Sequence, residues 1–376
     1  MNKPHVFAST VTVLIGFFVC QAAKAQTTWY VDDGCSPPGD GSQGDPFCTI
    51  SEGIAAAANG DTVLLGAGTY VGDGNRDLNF GGKLITVRGE SGAQSCIIDC
   101  GGTESAPHLA FVFNSGETSV ARLVGLTIRN GYEFDNGGAV RCLNNSSPTI
   151  ESCTFTGNHS LANGGAVHTN GASPTIQDCQ FSSNYSQGHG GGVHCTKSSA
   201  LIQRCTFTGN SAIEGGGIMT SNDPPNMQGF PIISDCVITG NTTTGSGGGI
   251  TAEGHPTIRN CTITGNSSKW GGGIMGNDGN RTIINCRITG NYASVTGGGL
   301  YFNDTQYGDN QVKLYNTLVS GNEAAVGGIG GFHREGNLAL PISAVIQNCI
   351  FWDNLPDQPG GEISHKSPAP CCYPHF

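Results

Sequence analysis

The sequence predicts an all-β protein wound as a right-handed parallel β-helix, a solenoid with three short strands per coil and a short N-terminal capping helix. Three observations carry this. The segments ESCTFTGN, QDCQFSSN, QRCTFTGN, SDCVITGN, RNCTITGN, INCRITGN and QNCIFWDN recur between Glu151 and Asn354. Glycine-rich segments of the form GGAV, GGGV, GGGI or GGGL alternate with them. The chain also holds 60 glycines and only 12% charged residues, far from an ordinary globular composition.

The repeat defines the coil. Cys153, Cys179, Cys205, Cys236, Cys261, Cys286, Thr317 and Cys349 take one position, at spacings of 26, 26, 31, 25, 25, 31 and 32 residues. A unit of this length without a helical pattern is strands joined by turns. Cys153 and Phe155 face one way and Thr154 and Thr156 the other. Ile150 is three residues from Cys153, so period two breaks between them and a sharp turn separates two strands. The glycine-rich segment supplies the third strand, with Val167 inward and His168 outward. Variable spacing implies loops of different length on a fixed coil.

Stacking places equivalent residues in columns. Asn158, Asn184, Asn210, Asn241, Asn266, Asn291, Asn322 and Asn354 form one, at a turn where Asn tolerates a left-handed backbone and stacked amides can hydrogen-bond. The Cys column is expected to be a structural ladder of small apolar side chains rather than a set of pairs. Cys35 with Cys48, and Cys96 with Cys100, are the disulfide candidates, since they lie outside the ladder among turn residues. Near the start, Trp29–Val31 is expected to be a strand and Thr49–Asn59 a short helix with Ser51 as its N-cap, covering the exposed end of the stack.

Lys3, the apolar run Val11–Cys20 and Ala23-Lys24-Ala25 read as a signal peptide over residues 1–25, cleaved before Gln26. Residues 26–125 would hold the cap and first coils, 126–354 the regular repeats and 355–376 an irregular tail. That tail reads as a truncated or frame-shifted end, or an end covered by a partner. Without Lys3 and Lys24, 15 basic face 28 acidic side chains, a net charge of −13. Such a chain repels phosphate backbones, so nucleic acid is not an expected partner. No stretch after the leader is long and apolar enough for a transmembrane helix. The expected location is outside the cell or on its surface.

The opening WYVDD and GDGSQGDPFCTISEGIAAAANGDTVLLGAGTY resemble the start of secreted pectin-lyase-like β-helix proteins. The alternating GGA[VI] and [FI]TGN motifs are similar to the repeats of chlamydial polymorphic outer-membrane proteins. They resemble still more closely the bacterial families of right-handed β-helix repeat proteins. The resemblance covers nearly all of the mature chain and implies the fold. The polymorphic proteins are adhesins with a C-terminal membrane barrel, for which the stretch after Asn354 is too short.

No acid/base or metal cluster is recognisable. Gly188-His189-Gly190 matches a short polygalacturonase motif, but the motif's companions are missing and His189 sits at a variable turn position. The outward column of the glycine-rich strand reads Arg141, His168, His194, Met219, Thr251, Met275, Tyr301. Within it Arg141, His168, His194 and Tyr301 are the candidate ligand-binding residues, with no catalytic or metal assignment. Two imidazoles without a third ligand make a poor metal site. Calcium around Asp73, Asn75 and Asp77 is conceivable, but three oxygens in a glycine loop more often mark a turn, and no cofactor is expected. The expected function is non-catalytic binding of glycans or cell surfaces. The alternative is a pectate-lyase-like lyase or hydrolase of acidic polysaccharide, supported by fold analogy.

Overall fold

A computed structural model describes residues 25–221, 229–277, 279–304, 311–325, 328–336 and 343–356. The segments read as leader and tail therefore lie outside it, apart from residues 25 and 355–356. Among the described residues four parallel sheets run the length of a solenoid, with 12, 11, 10 and 8 strands. One coil is Thr149–Glu151, Thr154–Thr156, His159–Ser160 and Val167–Asn170, one strand in each sheet. The next coil pairs with it in register, residue for residue.

The first coils have the expected three strands, and from Tyr132 onward a fourth is added. The extra one follows the ladder Asn and is mostly two residues long, too short for a periodic pattern to reveal. The break at the Cys position is as expected. The residue before each ladder position, from Ser152 to Asn348, has φ between 49° and 57°. This left-handed residue turns the chain from the 12-stranded into the 11-stranded sheet.

Three inward columns fill the interior. Phe155, Phe181 and Phe207 stack with ring centroids 4.8 and 4.6 Å apart and nearly parallel planes. Ile238, Ile263 and Ile288 continue that column, while Ile150, Ile176 and Ile202, and Val140, Val167 and Val193, begin the other two; all are buried. Branched and aromatic side chains suit such stacks because each packs on its own kind one strand away.

The Asn column forms a continuous amide ladder. Asn210 Nδ2 donates to Asn241 Oδ1 at 2.9 Å and to Phe181 O at 2.9 Å. Its Oδ1 accepts from the Asn184 backbone N–H and from Asn184 Nδ2. The same pattern runs from Asn158 to Asn354. The left-handed residue here is not Asn but the one before it, as at Gly157, Gly209 and Gly240, each with φ 63°. Asn is required for its amide.

Cys153, Cys179, Cys205, Cys236, Cys261 and Cys286 are free, buried thiols. Cys179 Sγ points its proton at Gln177 O, 3.1 Å away. Cys35 and Cys48 are joined, with Cα atoms 5.4 Å apart. Cys96 and Cys100 are not; both are free and buried. The strand Cys96–Asp99 explains this, because its alternation turns Cys96, Ile98 and Cys100 all inward. Residues four apart on an extended strand are separated by roughly 13 Å, beyond the reach of a disulfide.

The helix spans Ile50–Ala56. Its N-cap is Thr49 rather than Ser51, and Glu52 completes a capping box. Lys83 Nζ binds the carbonyls of Ile54 and Ala55 at its other end. Ile50 and Ile54 are buried, and Gly53 lets the helix approach so closely that a Cβ would sit 2.6 Å from Val63 Cγ1. The helix therefore closes the first coil.

Asn210→Ala is expected to lower stability by about 3 kcal/mol, because buried backbone groups on both sides lose their partner. Chemical denaturation measures this, and a loss below about 0.5 kcal/mol would remove the ladder from the fold's main supports.

Candidate functional site

The column Arg141, His168, His194, Met219, Thr251, Met275, Tyr301 lies on the outer side of the 10-stranded sheet, in the register read from the repeat. It is not open to solvent as a strand face would be. His168 is 3% and His194 4% exposed, and Met219, Met275 and Tyr301 are buried as well. The glycine turn that precedes each strand folds over it. A Cβ on Gly190 would meet His194 Cβ at 2.8 Å, and one on Gly191 would meet the Gly216 carbonyl at 2.4 Å. Glycine is thus what allows the turn to seal the column.

Arg141, His168 and His194 occupy successive coils, and the structure brings them together. The His168 and His194 ring centroids are 5.3 Å apart, and His189, in the turn beside His194, is 5.9 Å from it. Arg141 is held within the protein, by Glu133 at 3.0 Å and by the Asn136 carbonyl at 2.6 Å. His189 pairs with Glu214 at 3.4 Å. His194 Nε2 meets Ser221 Oγ at 2.9 Å. Tyr301 is separate, with Met219, Thr251 and Met275 between, and its hydroxyl donates to Glu335 at 2.9 Å. Burial, then the Arg141 charge, lowers His168 to about 4. Burial also takes His194 well below the usual range, helped by His168 and His189. Both rings are neutral packing elements at physiological pH.

Asp73, Asn75 and Asp77 each have protein partners. Asp73 pairs with Arg76 at 2.9 Å, Asn75 accepts from the Ile50 amide, and Asp77 binds His108 at 2.7 Å. Among the described residues no group of three or more His, Cys, Asp or Glu is placed to hold a metal ion.

A groove that the repeat did not single out lies on the outer face of the 12-stranded sheet. It is a wide, open depression of about 550 Å³. Thr86, Arg122, Thr149 and Thr175 form its floor as register partners on four successive strands, with Gln177 beside them. Leu84, Ser119 and Val120 make a wall. Arg122 pairs with Glu151, and Thr149 Oγ1 donates to Ser119 O at 2.9 Å. The groove presents hydroxyl and amide groups beside apolar patches, with its guanidinium already matched by a carboxylate. The alternation of the PTI segments held this signal: Thr149 and Thr175 precede the inward Ile150 and Ile176.

These features define a repeat solenoid whose side chains are mostly scaffold. The chain belongs to the right-handed β-helix region family, whose model matches residues 79–229 and 231–367. No curated protein sequence matches the chain. Among solved structures it is similar to a rhamnogalacturonan lyase, at 16% identity over 86% of this chain and 87% of that one, with a TM-score of 0.43. The pectate lyase Pel9A is similar at 14% identity over 87% and 78%, with a TM-score of 0.45. PfbA, a surface adhesin of Streptococcus pneumoniae, is similar at 12% over 81% and 86%, with a TM-score of 0.39. No helix among the described residues is long and apolar enough to cross a membrane.

Neutral burial of His168 gives a signed pH dependence. The unfolded chain takes up a proton near 6.5 that the folded chain accepts only near 4. Stability is therefore complete above pH 6.5 and falls between 6.5 and 4, by about 3 kcal/mol for this group. Denaturation midpoints across that range are expected to show the loss, and His168→Gln to reduce it, leaving the part that His194 contributes with the same sign.

Proposed function

We propose that the protein is an exported, non-catalytic β-helix that binds polysaccharide or cell-surface glycan, and that the groove over Thr86, Arg122, Thr149 and Thr175 is a binding site. The groove's composition carries the reading. Hydroxyl and amide groups on fixed strands match the hydroxyl edges of a sugar, and Leu84 and Val120 match its C–H faces. The Arg122–Glu151 pair leaves no free acid beside a free base in the floor, which favours retention over bond cleavage. The leader sequence supports export.

The test is incubation with neutral and uronic-acid polysaccharides, following both retention and new chain ends. Retention without new ends is expected. Thr149→Val with Thr175→Val should weaken retention in the groove at least fivefold; valine keeps the strand shape, and the lost Thr149–Ser119 hydrogen bond costs about 1 kcal/mol, too little to unfold the solenoid. Unsaturated or reducing ends, lost on substitution of Arg122, would overturn the reading in favour of a lyase or hydrolase.

A further inference from the structure

The position just after the ladder Asn, on the 8-stranded sheet, has no part in the scaffold. It reads Tyr132, which follows Gly131 instead of an Asn, then His159, Tyr185, Ser211, Thr242, Ser267, Tyr292 and Glu323 on eight successive coils, paired Cα to Cα. Its strand neighbours Ser160, Ser186, Ala212, Ser268 and Ala293 point inward and are buried, so this column points out. The Tyr132 and His159 rings are 4.6 Å apart, and those of His159 and Tyr185 4.7 Å. Tyr185 is 41% and Tyr292 40% exposed. Phe134, Ile213 and Val295, all exposed, flank the same face. Five of the twelve large hydrophobic side chains exposed among the described residues are thus on this face, and such a grouping marks an interaction site.

We propose that this strip is a second binding track, for an extended neutral polysaccharide lying parallel to the solenoid axis. The reading rests on the protein being a glycan binder but concerns a different sheet from the groove. At about 4.8 Å per coil, Tyr132 and Tyr292 are roughly 29 Å apart. Rings at both ends and hydroxyls of Ser211, Thr242 and Ser267 between them offer a chain of pyranoses alternate C–H stacking and hydrogen bonding. Local charge selects against polyanions. Glu104 is close enough to act on the charge of Tyr132 and His159 at one end, and Glu323 pairs with Tyr292 at the other, while the Lys269 ammonium lies over the Trp270 ring. Uronates and sulfated glycans would be repelled.

The probes are a neutral β-linked glucohexaose, the matching disaccharide and a hexagalacturonate, titrated against the whole protein. The hexaose is expected to bind, the disaccharide at least tenfold more weakly, and Tyr185→Ala with Tyr292→Ala to weaken the hexaose at least tenfold with an unchanged circular dichroism spectrum. In the wild-type protein, hexagalacturonate bound more tightly than the neutral hexaose would overturn the track. So would a folded double variant that binds the hexaose like the wild type. The groove variant Thr149→Val with Thr175→Val separates the two readings. If the hexaose binds and only the groove variant loses it, the track fails and the glycan reading stands. If the wild type retains no glycan at all, both fail.

Discussion

Asn184, Asn210 and the ladder residues as far as Asn322 each satisfy four hydrogen-bonding groups with one buried amide, and the coil geometry follows from that. The Oδ1 accepts from the previous coil's backbone and side-chain N–H, while Nδ2 reaches on to the next Oδ1 and back to a carbonyl. A buried amide without partners would cost several kcal/mol, so every coil must sit at one height and one rotation over the last. The left-handed residue before each Asn and the one before each Cys exist to deliver the chain to that register. In-register columns of Phe, Ile and Val then follow without further instruction.

That constraint also decides what is left for function. A turn closing back from the 8-stranded to the 10-stranded sheet within a few residues must cross the outer face of the latter, and glycine makes the crossing possible. The result is that His168, His194 and Tyr301 pack beneath turns instead of meeting solvent, and Arg141 is left only partly open. Chemistry-bearing side chains were thus taken into the scaffold, their hydrogen bonds and ion pairs directed to neighbouring turns and strands.

The fold was legible because a repeat is its own alignment. The Cys and Asn columns, the turn between Ile150 and Cys153, and the Val167 strand all come from counting residues. The fourth strand was not legible, since two residues such as His159–Ser160 carry no period. With it went the outward column of Tyr132, Tyr185 and Tyr292, which only becomes a face once that strand is paired. The burial of His168 was hidden for a different reason. Alternation gives the side of a sheet a residue occupies, not whether a neighbouring turn covers that side. Cys96 and Cys100 misled because their spacing looks like a loop until Ile98 between them shows a straight strand.

Coil length gives the last constraint. The three long intervals, of 31, 31 and 32 residues, gain their residues at one corner: between Ser221 and Ile232, between Asp304 and Gln311, and between Gly336 and Ser343. Each is the passage from the 10-stranded to the 12-stranded sheet. From the Thr149–Glu151 coil onward the corners on either side of the 11-stranded sheet keep the same few residues, and the one after the 8-stranded sheet varies by one or two, whereas earlier the corner from Gly89 to Cys96 is four residues longer than the one from Leu65 to Gly68. Insertions at those corners would disturb the Cys turn or the Asn ladder, whereas the fourth corner carries neither. In the regular coils the large changes in loop length therefore fall at the border of the 12-stranded sheet. The 8-stranded face stays evenly spaced along the axis, and on that face sequence change acts through side-chain identity alone.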